Sequence, residues 1–195
     1  MNYIFIETIN NPLSLIKKGQ IVEIPSTSAI YNKDEVSFSS KRDELIRKTA
    51  QRNYSLFDGF LVGEHQGTEH FKLGQRKGIN VGGKNAPLYV IGINEANNQL
   101  FVGESEKHPG LWTNVLSFSG NQIQLDDVNL TPDECELGKE VSIHSSVADI
   151  DIIATLYRFD GTLFLEFEAP VSVAIQDHPL EIYFDDHSTA TIKIN

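Results

Sequence analysis

The chain has 195 residues, of which 40% are hydrophobic and 22% charged, so it is long enough to bury a core as one large domain or two small ones. No apolar run approaches the roughly 18 residues that would span a bilayer, and the apolar start, Met1 to Thr8, lacks a basic flank or a cleavage site, so neither a membrane span nor a signal peptide is expected. Net charge is −11 and there is a single cysteine, Cys135, which excludes an internal disulfide, fits a cytoplasmic location and argues against a uniformly basic nucleic-acid binder.

Runs rich in Ile, Val, Phe and Tyr, separated by turn residues, predict strands at Tyr3–Glu7 and Gln20–Ile24. A helix is expected next. Ser39 or Ser40 can cap it, and Asp43 stands three residues after Ser40. Its apolar stripe is narrow, made of Leu45, Ile46, Thr49 and Ala50. Lys41, Arg42, Arg47, Lys48 and Arg52 fill the other faces, so it reads either as a solvated surface helix or as a basic face for phosphate. Strands follow at Pro87–Asn94 and Gln99–Gly103, with a turn at Ala96-Asn97-Asn98 between them. Pro109-Gly110 then breaks the chain. Beyond it, Ile153–Phe159 and Thr162–Phe167 flank Asp160-Gly161, the signature of a tight hairpin. Leu163, Leu165 and Phe167 fall on one face of its second arm, and Phe164 and Glu166 on the other. A last strand is expected near Ile182–Phe184.

Charge is unevenly spread. Up to Gly110 there are 13 basic and 12 acidic residues; from Leu111 onward there are 3 basic and 15 acidic. Any contact with a polyanion is therefore expected from the first part. Gly74-Gln75-Arg76-Lys77-Gly78, with Lys84 close behind, sets two strong cations and an amide between glycines. Arginine can fork onto a phosphate, lysine adds a point charge, and glutamine can read a base edge or sugar. The competing reading is a plain turn whose arginine pairs with Glu64 or Glu69. The six histidines do not suggest a metal. His65 and His70 would face opposite sides of a strand, and zinc needs about four converging ligands. Cys135 lies among acidic residues, which disfavours the thiolate, so an inert thiol is expected. No catalytic constellation is evident.

The stretch Gly63-Glu64-His65-Gln66-Gly67, then His70 to Gly78, then Gly82-Gly83 and Pro87-Leu88-Tyr89-Val90, resembles a pattern of the tRNA-specific 2-thiouridylase (MnmA) family. In that family it reads G-E-H-x-G, G-Q-R-K-G, GG and PLYV. Asn97-Asn98, Val102-Gly103-Glu104, and His108-Pro109 with Leu111 extend the match, which is densest from Gly63 to Leu111. Lys18 to Glu23 is similar to the family's P-G-x-I-V-D, and about 34 residues, 25–58, then intervene as an insertion. Phe167 to Pro170 and Glu181 to Phe184 resemble later family segments. Ser142–Val147 and Gln176–Pro179 stand where the family has a basic segment and a T-P-G-Q turn.

The resemblance implies a mainly β chain in two units. One is a small β-rich middle domain, residues 1–111, carrying the inserted helix. The other is a six-stranded β-barrel like domain 2 of elongation factor Tu, residues 112–195. It also implies tRNA contact through His65, Gln75, Arg76, Lys77 and Lys84. The family's S-G-G-V-D-S loop and its pair of cysteines, which belong to an ATP-using adenylation domain, are not matched here. The chain is therefore expected to carry no cofactor and no catalytic residue of its own. The expected role is a tRNA-binding or accessory module in wobble-uridine 2-thiolation. A separate ATP-pyrophosphatase or sulfur-relay protein would then be a partner. The alternatives are a protein–protein adaptor that has lost RNA binding, or the C-terminal subunit of a split sulfurtransferase.

Overall fold

The computed structural model describes residues 18–32, 37–50, 52–119, 123–124, 131, 136–148 and 151–193. The strand expected at Tyr3–Glu7 and the thiol of Cys135 lie outside them.

The described strands form two sheets. The first holds β1 (Gly19–Glu23), β2 (Phe60–His65), β3 (Leu88–Asn94) and β4 (Gln99–Glu104), in the order β2-β1-β4-β3. β3 and β4 form the expected hairpin, with Asn98 at φ +54° in its turn. β1 runs parallel to β4. Over β1, β3 and β4 both faces of this sheet are covered, which is why those strands read as near-continuous apolar runs. On one face Ile21, Val90, Leu100 and Val102 pack with Ile79, and Phe71 and Val81 lie against them. On the other, Val22, Ile24, Ile91 and Phe101 pack with Tyr54, Leu111 and Val173.

The second sheet holds β5 (Trp112–Ser119), β6 (Ile123–Gln124), β7 (Lys139–Ser145), β8 (Ile152–Phe159), β9 (Thr162–Ser172), β10 (Leu180–Tyr183) and β11 (Thr189–Ile192). The order is β5-β9-β8-β7-β10-β11-β6, so six strands of four residues or more are joined by a two-residue edge strand. Leu116 and Phe118 of β5 share one core with Ala190 and Ile192 of β11, from the far end of that order. The sheet must therefore curl round its own interior, as the barrel expectation requires. The β8–β9 hairpin turns at Asp160 and Gly161, with φ of +51° and +76°. Leu163, Leu165 and Phe167 point into the curl, while Phe164 and Glu166 point out.

The helix α1 (Lys41–Ala50) lies against that outer face. The Ser40 hydroxyl accepts from the Asp43 N–H at 3.1 Å, the cap read from the sequence. The apolar stripe is narrower than expected, because Leu45 is fully buried while Ile46 is 41% exposed. Leu45 packs with Val115, Tyr157 and Phe164 of the second sheet. Three of the basic residues, Lys41, Arg42 and Lys48, are neither simply solvated nor free for an outside phosphate, while Arg47 stays exposed. Lys41 and Lys48 converge on Glu166 at 2.6 and 2.8 Å, and Lys48 also pairs with Glu44. Arg42 Nε donates to Asp160 at 2.8 Å, and the Lys41 ammonium sits over the Tyr157 ring. Burial alone would raise the Glu166 carboxyl, but hydrogen bonds from both lysines hold it below its usual range.

Leu45→Ala is expected to cost about 2–4 kcal/mol through the cavity it leaves, read from denaturant unfolding. Glu166→Gln is expected to cost about 1–2 kcal/mol, since two half-buried lysines lose the negative charge between them and one of them faces an amide N–H instead of an oxygen. An unchanged unfolding midpoint in the glutamine variant would remove the bridge from the account of docking.

Candidate nucleic-acid interface

The segment from Phe71 to Val81 caps one face of the first sheet. Phe71, Leu73, Ile79 and Val81 are its apolar anchors. Between them the backbone joins the edge of β3. Gly74 N–H donates to Val90 C=O at 2.8 Å, and Val90 N–H donates to Gln75 C=O at 2.9 Å. Gly74 and Gly78 stand at φ +76° and +88°, a conformation that side chains with a Cβ rarely adopt.

Gln75 is half-buried and bonded within the loop. Its Oε1 accepts from Lys72 N–H at 3.0 Å, and its Nε2 donates to Lys77 C=O at 2.8 Å. With Gln75 stitched inward and both flanks anchored, Arg76 and Lys77 are held outward and exposed. Glu64 pairs with Lys18, and Glu69 lies beside His70. Among the described residues neither carboxylate pairs with Arg76. Lys84 is different, because it forms an ion pair with Glu23.

His65 is buried, 5% exposed. Its Nδ1 accepts from the Gly67 N–H at 3.1 Å, and its ring meets Phe71 edge-on at 5.5 Å. Gly19 is packed against it so closely that an added Cβ would sit 2.3 Å from His65 Nε2. The five residues expected at the interface are thus not gathered alike. Two are presented to solvent, one organises the loop, one is paired and one is inside. Among the described residues no group of three His, Cys, Asp or Glu side chains is placed as a metal would need.

His108 repeats the arrangement of His65. Its Nδ1 accepts from the Gly110 N–H at 3.1 Å, so the proton belongs on Nε2, which donates to Ile24 C=O at 2.9 Å. The ring lies over Gly103 and is 1% exposed. The sequence reading missed Tyr54 and Trp112, and it took Arg52 only as one of the cations on the faces of the helix, which ends at Ala50. Arg52 donates to Gln176 at 3.4 Å, and burial pushes its pKa down. Tyr54 accepts from the Tyr31 hydroxyl at 3.0 Å. The five helix cations looked equivalent in one dimension, and only the partner 124 residues away sets Arg52 apart.

Burial pushes the His108 pKa below its ordinary 6.5, against smaller opposing effects from Ile24 C=O and Glu23. A depressed folded value gives stability that is full above 6.5 and declines as pH falls towards the folded value, because the unfolded chain takes up the proton first. Denaturant midpoints measured from about pH 8 to about pH 5 should fall more steeply for this chain than for His108→Gln. Identical slopes would show that His108 is not the group responsible.

A family profile described as "tRNA methyl transferase PRC-barrel domain" matches residues 44–104, which includes most of α1 and the whole Arg76 loop. The tRNA-specific 2-thiouridylase MnmA of Christiangramia forsetii is 32% identical over 157 residues, covering 79% of this chain and 39% of that protein. The MnmA of Flavobacterium johnsoniae is 30% identical over 174 residues, covering 87% and 43%. That of Karelsulcia muelleri is 32% identical over 154 residues, covering 79% and 37%. The chain therefore spans about two fifths of the length of these curated relatives. With relatives at 30–32% identity covering 79–87% of it, the chain belongs, over that span, to the tRNA-specific 2-thiouridylase family.

Proposed function

We propose that this chain is a tRNA-holding module in wobble-uridine 2-thiolation, with adenylation and sulfur transfer supplied from outside these residues by an ATP-pyrophosphatase unit and a sulfur-relay protein. One observation carries this reading. Arg76 and Lys77 are exposed on a loop whose own glutamine and apolar anchors are satisfied internally. Two cations fixed outward, with no carboxylate partner among the described residues, suit a phosphate backbone. Gln75 acts as the positioning residue of that loop. Lys84 reaches RNA only by giving up Glu23, and His65 supports the loop from below through Phe71.

A second reading, docking onto a protein, is favoured by a different feature. Phe57, Phe60 and Leu61 are 98%, 67% and 62% exposed, on or beside the edge strand β2. Exposed apolar side chains next to a strand edge with no further partner among the described residues are a common setting for association.

Replacing Arg76 and Lys77 together with alanine is expected to weaken tRNA binding and to reduce the magnitude of its salt slope by about one to two units. Thermal stability should stay within about 0.5 kcal/mol, because both side chains are exposed. Binding and its salt slope unchanged in the double variant would remove the loop as the contact. No measurable tRNA binding by either form would favour the adaptor. The whole chain incubated with ATP, a sulfur donor and unmodified tRNA should yield no 2-thiouridine.

A further inference from the structure

On the face of the first sheet opposite the Arg76 loop, a cavity of about 680 Å³ opens between α1 and the curled sheet. That volume lies in the range of small-molecule sites. Its walls combine two chemistries. Phe38 and Trp112 are large aromatic side chains left 37% and 48% exposed, and the hydrogen-bonded hydroxyl pair of Tyr31 and Tyr54 lies deeper. Arg47 and Arg52 also line the space, Arg52 with one guanidinium nitrogen on Gln176. Glu166 also lines the space, but Lys41 and Lys48 already neutralise it, so it does not repel an anion. The chain as a whole carries −11, which makes two arginines beside exposed aromatic rings an unusual local composition for it.

We infer that this cavity binds a 5′-nucleotide, either free or as an unpaired residue of an RNA strand, with the base against Trp112 and Phe38 and the phosphate on Arg47 and Arg52. Aromatic faces stack any base, and guanidinium forks onto phosphate oxygens. Glu168, on β9 and exposed, can accept from a ribose hydroxyl or an exocyclic amine. The site uses neither Arg76 nor Lys77. It rests on the RNA reading only for the second source of its ligand.

Trp112 is the sole tryptophan of the chain, so intrinsic indole fluorescence reports on this cavity alone. The full chain would be titrated with uridine monophosphate, uridine, inorganic phosphate and a short oligouridylate. Saturable quenching is expected with the nucleotide or the oligonucleotide, with uridine about tenfold weaker and phosphate alone silent. Arg47→Ala, at an exposed position, should keep the melting temperature and weaken binding about tenfold. Phe38→Leu gives an independent second variant and should also weaken it. Alanine at both Arg76 and Lys77 should leave the mononucleotide response unchanged, which separates this site from the tRNA grip. Quenching by the oligonucleotide alone assigns the ligand to RNA, and quenching by the monophosphate assigns it to the free nucleotide. No saturable change with either, or equal affinity in Arg47→Ala, overturns the inference.

Discussion

Glu166 receives two lysines from one helix, and much of the molecule is arranged round that meeting. The carboxylate is on the outward face of β9, among residues whose alternate neighbours fill the curled sheet. A lone carboxylate there would be costly to bury. Lys41 and Lys48 make it tolerable, and in doing so they press Leu45 onto Val115, Tyr157 and Phe164. The same docking fixes the end of the helix, beyond which Arg52 meets Gln176 and Tyr54 turns back into the core of the first sheet. A segment that reads as an addition between two strands thus acts as the wedge that sets one sheet against the other.

The uneven charge takes on a different meaning in this light. The basic residues of the first part and the acidic residues of the second are partly each other's partners. Arg42 meets Asp160, and two lysines meet Glu166. Opposite signs in the two parts of the chain are thus an intramolecular complementarity as much as a guide to outside ligands. The cations that remain unmatched among the described residues stand out more clearly once those pairs are removed.

Local patterns were legible because their causes are local. The Asp160-Gly161 turn, the alternation along β9, the β3–β4 hairpin and the Ser40 cap each depend on residues a few positions apart. The partners of the helix cations were not legible, since Lys48 and Glu166 are 118 positions apart. His65 shows a second kind of failure. A family pattern says that a residue type recurs, without saying whether it touches a ligand or the scaffold. Here His65 and His108 each receive a glycine N–H two positions on, a shared H-x-G device visible in the sequence only once its geometry is known. Gln75 likewise stood out as a reader of bases and turns out to be bonded within its own loop.

Val173 has a bearing on how the chain comes to be folded. It lies in the second sheet's half of the sequence, yet it completes the core that covers Val22, Ile91 and Phe101. β1 itself pairs in parallel with β4, Gln20 beside Gln99. Both closures join positions far apart along the chain, so little is gained until much loop entropy has been spent. During synthesis the apolar strands of the first sheet must wait, with one face bare, until the ribosome has delivered the residues round Val173. Order in this protein should therefore arrive late and all together, and an interrupted nascent chain would present β1, β3 and β4 to whatever chaperone or protease meets it first.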